Sequence, residues 1–275
     1  DFITMHRNEA RVILIAGPSS SGKTTFAQRL SVQLKVNGVQ PVPISLDDYF
    51  LDREQTPRKP DGGHDFESIR ALDLDLLNEH LEALLAGDAV KVPRYNFMTG
   101  QREYRGQTIC VRDDQPLILE GIHGLNDLLT AGVPAWKKIK IYISALTQLT
   151  LDEHNRIPTT DVRLLRRIVR DSQFRAHDAL QTLRMWDNVR AGEERNIFPF
   201  QESADVMFNT ALIYELAVLK KYAVPLLEAI GPDVPEYGEA HRLLNFLLHV
   251  RSMPDEPIPP NSILREFIGN SWFVS

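Results

Sequence analysis

Short apolar runs alternate along this chain with stretches whose apolar residues recur at helical spacing. Residues 11–16 (RVILIA) are apolar, partly β-branched, and break at Gly17, which predicts a buried strand. From Lys23 onward Phe26, Leu30 and Leu34 recur every four residues, a stripe along a helix that ends near Asn37-Gly38. Residues 41–46 (PVPISL) predict a second strand running into Asp47-Asp48-Tyr49, and the polar stretch with Pro57, Pro60, Gly62 and Gly63 predicts a loop. Residues 72–85 read as a leucine-rich helix closed by Gly87, and residues 90–95 and 104–111 bracket Thr99-Gly100 as the arms of a hairpin. Further strands are predicted over 116–119, ending at Glu120-Gly121, over 138–144 and over 204–209; helices are predicted over 162–175, 212–230 and 241–250, before a Pro-rich tail at 254–260. This order predicts an α/β fold, a parallel sheet with helices on both faces.

Composition narrows the class. The 275 residues, 43% hydrophobic and 25% charged, suffice for one α/β core with an appended subdomain. A formal charge of −6 argues against a general nucleic-acid binder, whose affinity rests on a basic surface. The single cysteine, Cys110, excludes an internal disulfide framework and fits a reducing compartment. No apolar run approaches the roughly 20 residues that span a bilayer, so a cytoplasmic location is expected. The chain begins at Asp1 rather than Met, which leaves room for an upstream domain. Histidines and cysteine lack zinc-ligand spacing.

The chemistry concentrates at Gly17-Pro18-Ser19-Ser20-Ser21-Gly22-Lys23-Thr24, which matches G-x-x-x-x-G-K-[ST] between a predicted strand and a predicted helix. The glycines let the backbone wrap phosphate oxygens, and the amides through Ser19, Ser20, Ser21 and Thr25 supply positive potential. Lys23 reaches the β and γ phosphates and Thr24 ligates Mg²⁺. A P-loop NTPase is therefore expected, and the lack of an Asn-Lys-x-Asp guanine reader favours ATP. In open α/β sheets, ligands bind beyond the carboxyl ends of strands. Glu120 closes one predicted strand, where an acid supporting the metal belongs. Asp47 closes another, where an acid can take the proton of an acceptor hydroxyl. Asp48 is the rival to Asp47; strand alternation would aim the two in opposite directions, and Asp47 is preferred.

Six ordered segments, Gly17 to Thr24, ISLDDY (44–49), HDF (64–66), VPRYNF (92–97), LILEGI (117–122) and RLLRRIVRD (163–171), resemble the uridine kinase and phosphoribulokinase family over about residues 11–210. The resemblance implies an ATP- and Mg²⁺-dependent kinase phosphorylating a small nucleoside-like molecule, uridine or cytidine at the 5′-hydroxyl. It implies Asp47 as base and, with Thr24 and Glu120, part of the metal site. Asp65 would hold ribose hydroxyls, and Tyr95 on a substrate hairpin would lie against the base, with Arg102 of the same hairpin as a further acceptor-binding candidate. His123, just past Glu120-Gly121-Ile122, is a candidate to touch the acceptor, against the favoured reading of a helix-start histidine making a structural hydrogen bond. Arg167, Arg170 and Arg175 would act from a helical lid on the phosphates. The implied organisation is a tail at 1–10, a kinase core at 11–214 containing hairpin 90–111 and lid 160–192, and a C-terminal helical extension at 215–275. Within the family the pattern is most similar to bacterial uridine kinase-like proteins often fused to a threonyl-tRNA synthetase-like N-terminal domain, and members are often homo-oligomers. Two departures leave the acceptor open: Thr99-Gly100-Gln101 stands where pyrimidine nucleoside kinases place a base-reading histidine, and His177 stands in place of a further lid arginine. A kinase for another polyol or sugar phosphate, or an ATP-dependent switch linked to tRNA or translation, are the competing expectations.

Overall fold

The computed structural model describes residues 2–6, 9–59, 62–96 and 99–273; Pro60 and Phe97, cited above for the loop and the hairpin, lie outside them. Helix α1 (Phe2–Met5) precedes strand β1 (Val12–Ala16), helix α2 (Lys23–Val36) and strand β2 (Val42–Ser45). Helix α3 (Leu74–Ala86) leads to the short strands β3 (Val90–Lys91), β4 (Arg94–Asn96), β5 (Gln101–Glu103) and β6 (Thr108–Ile109), then to β7 (Leu117–Glu120) and β8 (Lys138–Ser144). Helices α4 (Thr159–Phe174) and α5 (Ala179–Asn196), strand β9 (Val206–Asn209) and helices α6 (Glu215–Glu228), α7 (Tyr237–Leu248) and α8 (Arg265–Ile268) complete the chain. No helix among the described residues is long and apolar enough to cross a membrane.

The main sheet has the order β2-β7-β1-β8-β9. Strand β1 pairs in parallel with β7 and β8, and β7 in parallel with β2. Every residue of β1 is buried, as expected of an unbroken apolar run covered on both faces. The predicted α/β fold with a parallel sheet is thus present.

Two compact units make up the chain. One comprises the residues up to Gly17, Ala27–Tyr142 and Gly192–Met207; the other comprises Pro18–Phe26, Ile143–Ala191 and Phe208 onward. In the first, Val12, Leu14, Ile44, Leu117 and Leu119 of the sheet pack with Leu77, Leu81 and Leu84 of α3. Asp73 caps α3 by accepting from the Leu76 amide at 3.0 Å, and Gly87 ends it at φ 89°, where a side chain would be strained. In the second unit, Leu164, Leu165 and Ile168 of α4 pack with Leu216, Leu219 and Ala223 of α6, Leu243 and Leu247 of α7, and Leu264 and Phe267 near the chain end.

Two local expectations are corrected. Asp47 and Asp48 lie in a 3₁₀ turn, Leu46–Tyr49, that begins as β2 ends, so strand alternation does not set their directions. The hairpin is not one ladder but two, β3 with β6 and β4 with β5, because Pro93 has no amide to continue the pairing. The Arg-rich helix ends at Arg175, as expected; Ala176 takes φ 53° and α5 starts afresh.

Inside the second unit Arg166 and Glu215 form a buried ion pair at 2.6 Å, with 0% and 2% of their side chains exposed. Removing one partner strands the other charge in the core. Glu215→Ala is expected to cost about 3 kcal/mol or more in urea unfolding, and Arg166→Met combined with Glu215→Leu is expected to cost less than the single change. A single variant as stable as the parent would mean that the pair is not sealed from water.

Candidate active site

The phosphate-loop motif begins at Gly17, directly past the carboxyl end of β1, and passes into α2 at Lys23. Its carbonyls are claimed from one side. Arg163 Nε donates to the Ser19 carbonyl at 3.1 Å, Arg166 Nη1 to the Ser20 carbonyl at 3.3 Å, and Thr210 Oγ1 to the Ser21 carbonyl at 2.6 Å. Across a trans peptide the N–H points opposite to the C=O, so the amides of Ser20 and Gly22 face away from these partners. Positive φ values at Ser20 (58°) and Gly22 (86°) give the loop the alternating backbone of an anion nest. The Ser20 and Ser21 hydroxyls are buried and have no hydrogen-bond partner among the described residues, and Lys23 Nζ folds back to the Pro18 carbonyl at 3.3 Å. This donor set fits a polyphosphate.

The α4 arginines expected to act from a lid sit beside the loop in the same unit. Arg167 Nη1 donates to Ser19 Oγ at 2.6 Å and its Nε lies 3.2 Å from Asp171. Arg170 binds the fully buried Asp171 through two nitrogens, at 2.9 and 2.7 Å. Arg175, at the end of α4 and 55% exposed, stands 3.8 Å from the same carboxylate. Sequence reasoning missed Arg163 and Arg166, the two that hold the loop. The signal was present: Arg163, Arg166, Arg167 and Arg170 fall at i, i+3, i+4 and i+7, one face of a helix.

The first unit carries the candidate acids. Glu120 ends β7 and stands in register with Ile15 of β1 and Ser45 of β2. Asp47 lies two residues beyond Ser45, so both acids stand at the carboxyl edge of adjacent strands. Asp47 is exposed, whereas Asp48 is half-buried and accepts from the Tyr95 amide at 3.2 Å. Burial pushes the Asp48 carboxyl up, against the Tyr95 amide and Arg94. Asp48 therefore joins this turn to the hairpin, which leaves the exposed Asp47 as the acid suited to an acceptor.

Asp65 has one carboxylate oxygen buried with no hydrogen-bond partner among the described residues, an acceptor free of those residues. The Tyr95 ring is buried and packs, tilted, on Phe50 at 5.5 Å. Burial raises its phenol above the usual range. Arg102 pairs with Asp73 at 2.8 Å while its amide donates to Asp52 Oδ1 at 2.8 Å, which ties the tip-side ladder of the hairpin to residues 52 and 73. His123, 3% exposed, has no partner of hydrogen-bond geometry at either ring nitrogen. Among the described residues no cluster of three or more His, Cys, Asp or Glu offers a self-contained metal site.

A family profile described as "Phosphoribulokinase / Uridine kinase family" matches residues 12–214. The chain belongs to that family. Its fold and phosphate loop are those of an ATP-dependent kinase of the family, as the resemblance implied. The chain is 30% identical over 227 residues to a uridine kinase of Vibrio atlanticus, covering 81% of this chain and 98% of the relative. It is 28% identical over 197 residues to a uridine kinase of Deinococcus deserti, covering 71% and 86%. Among solved structures, a putative fructose transport system kinase from Silicibacter sp. TM1040 superposes with a TM-score of 0.50 at 17% identity, over 73% of this chain and 90% of that one, a likeness of fold alone.

Burial pushes the His123 imidazole down from 6.5 to about 4, against the opposing backbone of Ser68 and Glu67 and the carboxylate of Asp65. Between those values the unfolded chain binds the proton and the folded chain does not, so stability falls as pH falls through this window. Lowering the pH from about 7 to about 5 is expected to remove about 2 kcal/mol through this group, and His123→Gln is expected to abolish that part of the loss. Urea titrations of both proteins at the two pH values check it; equal slopes would place the imidazole in water.

Proposed function

We propose that this protein transfers the γ-phosphoryl group of Mg²⁺-ATP to the 5′-hydroxyl of a pyrimidine nucleoside, uridine or cytidine. The observation that carries the reading is the pair of acids at one sheet edge: Glu120 closing β7 and Asp47 just past β2, on strands whose registered ends are Glu120 and Ser45. The names of the relatives, uridine kinases from Vibrio atlanticus and Deinococcus deserti, supply the acceptor class.

Mg²⁺-ATP supplies the phosphoryl group and a cation to neutralise charge on it. The residues on this chain divide the remaining work. The loop amides and Lys23 hold the phosphates, the Thr24 hydroxyl holds the cation, and Glu120 supports it. Arg167, Arg170 and Arg175 on the lid offset phosphate charge, with Arg167 already fixed against Ser19. Asp47 orients the acceptor hydroxyl and takes its proton as the oxygen attacks phosphorus. Asp65, with its unfilled acceptor oxygen, holds the vicinal hydroxyls of the ribose. Tyr95 and Arg102 belong to the hairpin that shapes the acceptor side, and His123 stands neutral behind Asp65.

Mg²⁺-ATP consumption is to be measured against nucleosides, sugars and sugar phosphates, with the mass of each product determined. A nucleoside monophosphate is expected; a phosphorylated sugar or sugar bisphosphate in its place would overturn the acceptor assignment. Asp47→Asn is expected to lower turnover by ~10²-fold or more with ATP affinity retained. Retained turnover would remove Asp47 from the chemistry. Lys23→Ala is expected to weaken ATP binding, and Asp65→Ala to raise the KM for the acceptor and leave that for ATP.

A further inference from the structure

The family match ends at residue 214, yet a segment far beyond it reaches the phosphate loop within the second unit. The Thr25 amide donates to Glu266 Oε2 at 3.1 Å. Ile263 packs so tightly on Gly22 that a methyl group placed there would come within 2.6 Å of Ile263 Cγ2. This segment is not a loose tail. Ile263, Leu264, Phe267 and Ile268 are all buried, and the Arg265 guanidinium is pinned by the carbonyls of Asp255 at 2.7 Å and Ile258 at 2.8 and 3.1 Å.

Thr25 is the third residue of α2, so its amide has no acceptor within the helix. Amides of that first turn are the donors that phosphate oxygens take at a loop of this kind. A carboxylate is a favourable occupant of the same position, being an anion at the positive end of a helix. Glu266 and a nucleotide phosphate therefore compete for one donor. The Ser20 and Ser21 hydroxyls of the same loop are likewise buried with no hydrogen-bond partner among the described residues, as donors suited to an anion.

We infer that α8 is an intramolecular gate on the nucleotide site, with the Glu266 carboxylate standing where a phosphate oxygen of the nucleotide binds. The inference rests on the loop being the ATP site. Glu266 is half-buried while its neighbours Arg265 and Phe267 are buried, so the gate opens by rotation of one side chain on an anchored backbone, or by release of the whole segment. Either way the nucleotide gains the Thr25 amide only as Glu266 gives it up.

Mg²⁺-ATP binding is to be measured by calorimetry on the full chain, parent and Glu266→Gln, with thermal melts to check folding. Glutamine keeps the shape and removes the charge, so the variant is expected to bind ATP roughly tenfold more tightly, the scale of one charge-assisted hydrogen bond. Hydrogen exchange on the parent protein gives a second reading that needs no variant: amides of 263–268 are expected to exchange faster or unchanged with side-chain rotation, but never slower, when ATP binds. Equal or weaker ATP affinity in a folded Glu266→Gln, or added protection of 263–268 by ATP, overturns the gate and leaves the phosphate site standing. Failure of both proteins to bind Mg²⁺-ATP removes the phosphate site itself, and the gate with it.

Discussion

The second unit depends on one guanidinium. Arg166 is fully buried, and a planar group with five donors is costly there unless its donors are used. It binds Glu215 on α6, the Ser20 carbonyl, and the carbonyl and hydroxyl of Thr210, and its flat face lies on Phe267 with 5.0 Å to the ring centroid. Thr210 in turn donates to the Ser21 carbonyl. A phosphate loop needs its amides turned toward the ligand. Besides the positive φ of Ser20 and Gly22, holding the Ser19 and Ser21 carbonyls from behind turns the Ser20 and Gly22 amides the other way, because each peptide plane carries its two dipoles in opposite directions. The Ser21 amide stays inside the loop, on the Pro18 carbonyl at 3.2 Å. The residues that fix α4 in its core therefore also orient the loop, and packing and loop geometry share the same bonds.

In the first unit the coupling runs through the backbone around residues 48–53. Asp48 accepts from the Tyr95 amide, Asp52 from the Arg102 amide, and the Arg53 amide donates to the Gly100 carbonyl at 2.8 Å. The hairpin is thus docked along the chain that follows Asp47. Gly100 is required at its tip: with φ 72°, and Arg53 Nε within 2.7 Å of where a Cβ would stand, any side chain would meet both strain and a clash. The turn that carries Asp47 and the hairpin are therefore joined by these hydrogen bonds, so the hairpin sequence bears on how that turn is held.

Much of this was legible in the sequence because it is local. The apolar run of β1, the four-residue stripe of α2, Gly87 at the end of α3 and the phosphate-loop motif all write their structure into neighbouring positions. Two kinds of feature were not. The 3₁₀ turn at Leu46–Tyr49 replaced an expected strand end, because Asp48 and the buried Tyr49 satisfy partners distant in sequence, the Tyr95 amide and His80. The partners of the arginine face were also unreadable: helical spacing marks Arg163, Arg166, Arg167 and Arg170 as one face, but a stripe of cations in a sequence reads equally well as a solvated surface. Only the fold reveals Asp171 and Glu215 buried against it.

Those buried acids bear on the end of the chain as well. The arginine face and the first turn of α2 concentrate positive potential around one loop, and each part of it has an anion of its own: Asp171 for Arg167 and Arg170, Glu215 for Arg166, Glu266 for the Thr25 amide. The three anions differ in how they are held. Asp171 and Glu215 are sealed in the core, and removing either leaves a stranded cation, so they serve the folded state whatever the loop binds. Glu266 faces backbone N–H rather than a guanidinium and is only half-buried. Of the three it alone can leave without exposing an unpaired buried charge, and that asymmetry is what makes it a ligand's competitor instead of a structural counter-ion.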